Sequence, residues 1–191
     1  MSKKFYIADM RFGHKNIITY DNRPFETTKE MDRALIANWN NKVSSIDTVY
    51  VLGDMFWEDN AVSILPQLNG RKVLILGNHD KNATKPQVKS YWEIISDTMV
   101  VKDDNRFVVL SHYPIMFYRN MYRGWYHLYG HIHNSQDHNM TENFAKQISE
   151  LTAQEWKGYN VGVMMLYMNY TPKTLDEIIV GAKEMRGLTK L

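Results

Sequence analysis

The sequence lacks cysteine entirely, and this absence limits the chemistry open to its 191 residues. Without a thiol there is no disulfide framework, thiolate zinc site, iron–sulfur cluster or cysteine nucleophile. Seven histidines are present. A metal site in this chain must therefore use His, Asp, Glu, Asn and water, which are the ligands of zinc, manganese, iron and nickel enzymes.

An excess of charge of one sign and a long apolar run are also absent. Lys and Arg number 23 and Asp and Glu 21, so the net charge of +2 gives no indication of nucleic-acid binding. The longest apolar stretch, 161–168, is far shorter than the ~20 residues of a membrane span. The apolar run 5–8 stops at Asp9, which is too early for a signal peptide. We expect a cytoplasmic, single-domain protein over residues 1–191 with no membrane association.

Hydrophobic periodicity predicts an α/β domain in which strands and helices alternate early and strands dominate later. Residues 28–43 are predicted as a helix with Thr28 as N-cap, because apolar residues recur there every four positions. A short helix is expected at 59–68, a loop with some helix at 135–158, and a terminal helix opened by Thr171-Pro172. The predicted strands are 5–8, 48–52, 72–76, 99–102, 106–110, 126–129 and 161–168, with a hairpin turn at 103–105.

Polar residues follow five of these strands, at the point where each strand ends. They are Asp9, Asp54, Asn78 with His79, His112, and His131 with His133. Three of the five clusters place a glycine directly before the polar residue, which permits a sharp turn. Because strand carboxyl ends converge on one crevice in open α/β sheets, we expect these side chains to meet.

This set of side chains suits a site for two divalent ions. In such sites the ions lie ~3.5–4 Å apart and clamp an in-line displacement at phosphorus. Asp54 follows a strand and lies between other candidate ligands in the order of the sequence, so it is placed to bridge both ions. A water between them would then lose a proton near neutral pH and act as the nucleophile.

Five strings of the chain, taken in order, resemble the calcineurin-like metallophosphoesterases, most closely their small bacterial and phage-type members. The strings are residues 8–17 (ADMRFGHKNI), 53–54 (GD), 77–80 (GNHD), 111–114 (SHYP) and 130–133 (GHIH), and Asn160-Val161-Gly162 is also similar. The resemblance covers nearly the whole chain. It implies the metallophosphoesterase fold, a four-layer α/β/β/α sandwich with two mixed β-sheets.

The resemblance also implies roles for individual residues. The ligands of a first metal would be Asp9, Asp54 and His133, and those of a second Asp54, Asn78, His112 and His131. His79 would be a non-ligand histidine that assists the leaving group or stabilises the transition state, with Asp80 available to orient it. The cofactors would be two divalent ions from among Mn, Fe, Ni, Co and Zn.

Arg11 departs from the family pattern, which has Asp-x-His where this chain has Asp9-Met10-Arg11. A guanidinium offers no lone pair to a metal, so the first metal loses a ligand and its site would be weakened or empty. Three outcomes are open. Arg11 turns away to bind a substrate phosphate, with water or His14 filling the vacancy; or it pairs with Asp9 and abolishes the first metal site; or it is an inactivating or engineered change.

The function implied by the resemblance is a metal-dependent phosphoesterase, and a phosphodiesterase in particular. A metal-bridged hydroxide held at Asp54 would attack phosphorus, and His79 would assist the leaving group. The substrate would be a small phosphoester or a nucleotide, with Arg11 and His14 as substrate-binding residues. The alternatives are a phosphomonoesterase, and a degenerate member that binds one metal or a ligand without turnover.

Overall fold

The computed structural model describes residues 2–57 and 59–187 and contains two four-stranded sheets in a mixed α/β fold. The first sheet consists of β1 (Lys4–Ile7), β2 (Thr48–Leu52), β3 (Arg71–Ile75) and β4 (Ile94–Ser96), in that order. All three of its strand pairs are parallel. Parallel neighbours require long crossovers, and helical segments occur in these connections.

The second sheet consists of β5 (Thr98–Asp103), β6 (Arg106–Ser111), β7 (Tyr126–Tyr129) and β8 (Gly158–Asn160). Strands β5 and β6 form the expected antiparallel hairpin, and the β6–β7 and β7–β8 pairs are parallel. The expectation of two mixed sheets is therefore right for this sheet and wrong for the first. In the two sheets as described, a tight hairpin joins only β5 and β6. Such a hairpin makes neighbouring strands antiparallel, so only the second sheet is mixed.

Six α-helices lie within the described residues: α1 (Lys15–Tyr20), α2 (Thr28–Lys42), α3 (Ala61–Ile64), α4 (Pro86–Lys89), α5 (Gln136–Thr152) and α6 (Leu175–Met185). Helix α2 buries Met31, Leu35 and Trp39, as its periodicity predicts. Its N-cap is Thr27 rather than Thr28, because the Thr27 side chain accepts a hydrogen bond from the Glu30 amide. Two 3₁₀ turns, Leu65–Gln67 and Met121–Arg123, complete the helical segments.

One continuous apolar core joins the two sheets. Ile7 and Val51 of the first sheet and Leu110 and Leu128 of the second are fully buried in it. Each such side chain contributes roughly 1.5–3 kcal/mol on burial, so this core dominates the stability of the fold. A smaller core lies beneath α5 and includes Tyr118, so this aromatic side chain serves packing.

Two regions of the second half differ from expectation. Residues 161–168 form turns rather than a strand, and the strand β8 ends before them, at Asn160. Their apolar character reflects burial in the core, where Val163 and Met165 are fully enclosed. Residues 135–158 contain the 17-residue helix α5, whose buried face carries His138 and Thr141 and so hides the apolar periodicity.

The terminal helix begins later than Thr171-Pro172. Lys173 pairs with Tyr6 of β1 through backbone hydrogen bonds in both directions, which holds that segment extended. Helix α6 then starts at Leu175, where Thr174 and Glu177 form a capping box.

The loops that follow the strands bring the two sheets together at one end. The amide of Ala8, just after β1, donates to the carbonyl of Val161 after β8, and the amide of Gly130 donates to the carbonyl of His112. The ends of β1, β6, β7 and β8 are thus tied into one surface. Over the described residues, no helix combines the length and apolarity needed to cross a membrane.

Candidate metal centre

The polar residues that follow the strands meet at this end of the two sheets. The side chains of Asp9, after β1, and Asp54, after β2, are completely buried. His112 follows β6 directly and is also buried, whereas His131, after β7, is partly exposed. The convergence expected from the sequence is therefore present, and it spans both sheets.

Asp54, His112 and His131 form the tightest group of candidate metal ligands. One ligand atom from each lies within 4.8 Å of the others. The Nε2 atom of His112 is 3.5 Å from Asp54 Oδ2 and 3.2 Å from His131 Nδ1. Asn78 joins this group, since its Oδ1 atom is 3.1 Å from His112 Nε2. The Nδ1 atom of His112 lies 2.8 Å from the Leu52 carbonyl, which leaves Nε2 free to face the group.

Asp9 and His133 form a second group beside the first. The His133 Nε2 atom lies 3.6 Å from Asp9 Oδ1, and the other carboxylate oxygen of Asp9 accepts a hydrogen bond of 2.9 Å from the His131 amide. The Nδ1 atom of His133 is 2.7 Å from Asp21 Oδ1. Asp21 thus fixes the orientation of the His133 ring and leaves Nε2 toward the centre.

Arg11 lies between the two groups. Its Nη2 atom is 2.5 Å from Asp54 Oδ2 and 3.5 Å from His133 Nε2. The residue is only 6% exposed, so the guanidinium points into the site and not toward solvent. The sequence left open that Arg11 turns away from the site or pairs with Asp9; the structure instead shows an ion pair of Arg11 with Asp54.

Asp80 organises the loops that carry the ligands. Its carboxylate accepts hydrogen bonds from the backbone amides of Asp54 (2.8 Å), Met55 (3.2 Å) and Gly77 (2.8 Å). Asp80 therefore clamps the ends of β2 and β3 together. Its carboxylate binds these amides rather than the ring of His79. The His79 amide instead donates to Asp54 Oδ1 at 2.9 Å.

Asp21 and Arg23 belong to the site although the sequence analysis passed over them. Arg23 donates to three oxygen atoms around it: the carbonyls of Asp9 and Met10 at 2.9 Å each, and Asp21 Oδ2 at 2.8 Å. The pair thereby links His133 to the main chain that carries Asp9. A polar Asp-x-Arg after a short helix is a common surface pattern, so no local signal distinguishes it.

Three aromatic residues close one side of the site. The ring of Trp57 stacks on His14, with centroids 3.7 Å apart, and lies 4.7 Å from His79. His14 is buried beneath Trp57, and no contact between its ring and the predicted metal ligands is recorded. The side chain of His79 is 34% exposed, and its Nε2 atom is 4.0 Å from Asp54 Oδ2, so it stands at the entrance.

Burial and neighbouring charges shift the pKa values of the site. Burial alone would raise the pKa of Asp54, but His112 and Arg11 outweigh it and hold the pKa at about 2. Burial lowers the pKa of His112, but Asp54 and Asp9 reverse this and raise it. The pKa values of His131 and His79 are lowered, chiefly by burial.

The backbone at the site is held in an uncommon conformation. Five site residues other than glycine have positive φ angles: Asp9 (56°), Arg11 (55°), Asp54 (54°), His131 (68°) and His133 (47°). Each such residue costs of order 1–3 kcal/mol, and such residues cluster at functional sites. Gly77 and Gly130 serve close approach instead, since a Cβ atom would meet Asp54 Oδ1 at 2.3 Å and Asp9 Oδ2 at 2.5 Å.

The donor set fits a divalent cation at one of the two groups. Asp54 Oδ2 and Asp9 Oδ1 are buried without a hydrogen-bond partner within the described residues. Buried carboxylates are paired with a cation or coordinate a metal, and Arg11 already supplies part of this charge at Asp54 Oδ2. Asp54, Asn78, His112 and His131 offer oxygen and imidazole ligands that suit one, whereas Arg11 already stands between Asp54 and His133.

Comparison with known proteins places the chain in a family. No family model matches it. A protein of Methanocaldococcus jannaschii described as Uncharacterized protein MJ1445 is 35% identical over 183 residues, which cover 94% of this chain and 90% of that protein. The chain belongs to the family of this archaeal protein. The Gene 66 protein of Mycobacterium phage L5 is 30% identical over 135 residues, which cover 60% of this chain and 64% of the phage protein.

Solved structures extend the comparison to the fold. The protein of unknown function AQ665 from Aquifex aeolicus has a TM-score of 0.69 at 23% identity, with 99% of this chain and 100% of that chain covered. This chain therefore shares its fold with that structure. The nuclease MPE of Pseudomonas putida has a TM-score of 0.45 at 18% identity, over 68% of this chain and 61% of that chain. That likeness is too distant to indicate a shared fold or activity.

Proposed function

We propose that this protein is a metal-dependent phosphoesterase of the calcineurin-like type, acting on phosphodiesters. The observation that carries the proposal is the group that the buried carboxylate of Asp54 forms with His112 and His131, whose ligand atoms all lie within 4.8 Å of one another. A buried carboxylate and two imidazoles at strand ends, with the amide oxygen of Asn78 beside them, match the ligands of metal-assisted phosphoryl transfer. The motif strings in the sequence support the same family, with a four-layer α/β/β/α arrangement.

Different residues of this chain would have different roles in such a reaction. Asp54, Asn78, His112 and His131 would hold the cation, and a divalent ion there would polarise the phosphoryl group and promote ionisation of a water. His79, at the entrance, donates a ring N–H to the leaving oxygen. Trp57 lies beside His79 and flanks the entrance to the site.

Arg11 supplies a fixed positive charge toward the phosphoryl oxygens. Its guanidinium lies over the face of Trp57, with Cζ 5.6 Å from the ring centroid. This packing holds the side chain in the site. A substrate phosphate that enters beside Asp54 therefore meets a positioned cation that needs no reorganisation.

The substrate class follows from the entrance. Trp57 is 46% exposed and Tyr113 is 49% exposed, and Tyr113 lies 4.4 Å from the ring of His131. These two rings flank the ligand group and suit an aromatic group attached to the phosphate, such as the base of a nucleotide. A small nucleotide-like phosphodiester is accordingly the proposed substrate.

Hydrolysis of model substrates tests the proposal. We expect the EDTA-stripped protein to be inactive and to hydrolyse bis-p-nitrophenyl phosphate after Mn²⁺ is restored, with lower kcat/KM for p-nitrophenyl phosphate. His131→Ala should abolish the activity, while His138→Gln, on α5 outside the ligand group, should retain it. Preference for the monoester would favour a phosphomonoesterase. Bound Mn²⁺ without hydrolysis of either substrate would favour a ligand-binding protein.

A further inference from the structure

The position of Arg11 limits the number of metal ions that the site can bind. Asp9, Asp54 and His133 surround the place where the family resemblance implies a first metal ion. The Arg11 Nη2 atom lies 2.5 Å from Asp54 Oδ2 and 3.5 Å from His133 Nε2, so the guanidinium stands between two of these three residues. Its five N–H groups are donors and none can act as a ligand. The first group therefore does not fit a divalent ion while Arg11 is in place.

The main chain around Arg11 fixes it there. The Arg11 amide donates to the Asp54 carbonyl at 3.1 Å, and the Arg11 carbonyl accepts from the His14 amide at 3.0 Å. The next residue, Phe12, donates to the Met55 carbonyl at 2.9 Å. Arg11 is thus pinned to the loop that carries Asp54, and its left-handed backbone conformation is part of that loop geometry.

The other group of ligands leaves room for an ion. Arg11 has no recorded ion pair or hydrogen bond with His112, His131 or Asn78, within the part of the chain that the structure describes. These side chains converge on Asp54 Oδ2, the oxygen that Arg11 also contacts: His112 Nε2 lies 3.5 Å from it, and His131 Nδ1 and Asn78 Oδ1 lie 3.2 Å and 3.1 Å from that Nε2 atom. A cation bound there would neutralise Asp54 jointly with Arg11.

We propose that the Arg11 guanidinium takes the place of the first metal ion, so that the site works with one divalent cation and one built-in organic cation. The number of bound ions is inferred from the geometry of Arg11 and its neighbours. The role of that single ion in catalysis rests on the proposed function. A guanidinium supplies a single positive charge where a divalent ion would supply two. The site is therefore less cationic than a two-metal site, which favours the singly charged phosphodiester over the doubly charged phosphomonoester.

Counting Mn²⁺ ions by isothermal titration calorimetry and by electron paramagnetic resonance tests the proposal on the full chain. The wild type should bind one ion per chain and give the spectrum of an isolated Mn²⁺. Arg11→His should bind two ions and give the exchange-coupled spectrum of a Mn²⁺ pair. Arg11→Lys, which keeps the positive charge, should still bind one.

Further variants keep the test decisive. If Arg11→His does not fold, Arg11→Gln removes the charge with less change in shape and should also admit a second, weaker ion. His133→Ala should leave the wild-type count at one, because His133 holds no ion in the presence of Arg11. In a two-metal site the same change would lose an ion, and that loss would overturn the proposal.

The outcomes separate this inference from the proposed function. Two ions in the wild type, or one in both folded Arg11→His and Arg11→Gln, would overturn the replacement of a metal by Arg11. One ion in the wild type without phosphoester hydrolysis would support the ion count and overturn the proposed function. A wild type that binds no Mn²⁺ at all would overturn both.

Discussion

The Nη2 atom of Arg11 lies 2.5 Å from the Oδ2 atom of Asp54, and both side chains are buried. The Asp54 oxygen nevertheless has no aligned hydrogen bond among the described residues, so the contact is an ion pair rather than a hydrogen bond. The buried carboxylate of Asp54 thus depends on Arg11 for neutralisation when no metal is bound. This dependence has a measurable consequence for stability.

Arg11→Ala should destabilise the metal-free protein by about 3 kcal/mol, because removal of one partner leaves a buried charge uncompensated. Guanidinium chloride unfolding in EDTA measures the effect. Mn²⁺ should restore more stability to this variant than it adds to the wild type, since the ion then meets two unpaired carboxylates. Arg33→Ala, an exposed position on α2, serves as the control and should change little. Equal stability of Arg11→Ala and wild type in EDTA would contradict the role of the pair.

Asp80→Asn should weaken both the fold and the binding of Mn²⁺. An amide has one acceptor oxygen and places its NH₂ group against a backbone amide of Asp54, Met55 or Gly77, all of which donate to the Asp80 carboxylate. The loss should be roughly 2 kcal/mol, as for a buried donor left without an acceptor. Chemical unfolding and Mn²⁺ titration measure the two effects. Asp97→Asn, an exposed position, is the matched control, and a variant that equals it in both measurements would refute the clamp.

His127 should make stability fall in mild acid. It is fully buried, its Nδ1 atom lies 3.0 Å from the Val109 carbonyl, and its Nε2 atom accepts from the Ile115 amide at 2.9 Å. These contacts suit the neutral ring, and burial lowers its pKa to about 4. The unfolded chain takes up this proton near pH 6.5, ahead of the folded one.

The contribution of His127 is therefore complete above pH 6.5 and is lost as the pH falls toward 4, by about 3 kcal/mol in all. Unfolding free energies measured between pH 7 and pH 4 should show this slope. His127→Gln, which cannot gain the proton, should be less stable at pH 7 but should flatten the profile. An unchanged slope in that variant would assign the acid sensitivity to other groups.

His79→Ala should lower kcat on bis-p-nitrophenyl phosphate by about 100-fold, because the ring N–H that assists the leaving oxygen is lost. The Mn²⁺ affinity should stay within a few-fold of the wild type, since only the backbone amide of His79 contacts Asp54 through a hydrogen bond. His79→Gln retains an N–H donor and should recover part of the rate. Undiminished turnover in His79→Ala would remove this residue from the mechanism.

The sequence predicted the elements that obey a simple hydrophobic period and missed those that do not. Helix α2 and strand β2 were predicted closely because they bury regular apolar positions. The prediction of loop with some helix at 135–158 underestimates the extent of helix α5, because its buried face includes His138 and Thr141. The apolar composition of residues 161–168 predicts a strand there because burial in turns and burial in strands produce the same apolar composition.

The positions of the candidate ligands follow from strand ends, but their partners depend on tertiary contacts. That Asp9 and Asp54 meet could be expected from β1 and β2 in one parallel sheet. The hydrogen bond between His133 and Asp21 joins residues 112 positions apart, and no local sequence pattern predicts it. The direction of Arg11 likewise depends on the loop that carries Asp54, which comes from another part of the chain.

At the left-handed backbone positions of the site, backbone conformation favours glycine whereas activity requires the side chain that is present. A glycine in place of Asp54 would relieve a positive φ of 54° but would remove the central carboxylate. The same conflict holds at Asp9, His131 and His133, whereas Arg11 also stabilises the metal-free fold through its ion pair with Asp54. A screen that selects for thermal tolerance alone will therefore enrich glycine at Asp9, His131 and His133 and erase the site. Stabilising designs for this scaffold should hold these five residues fixed and seek their gains elsewhere.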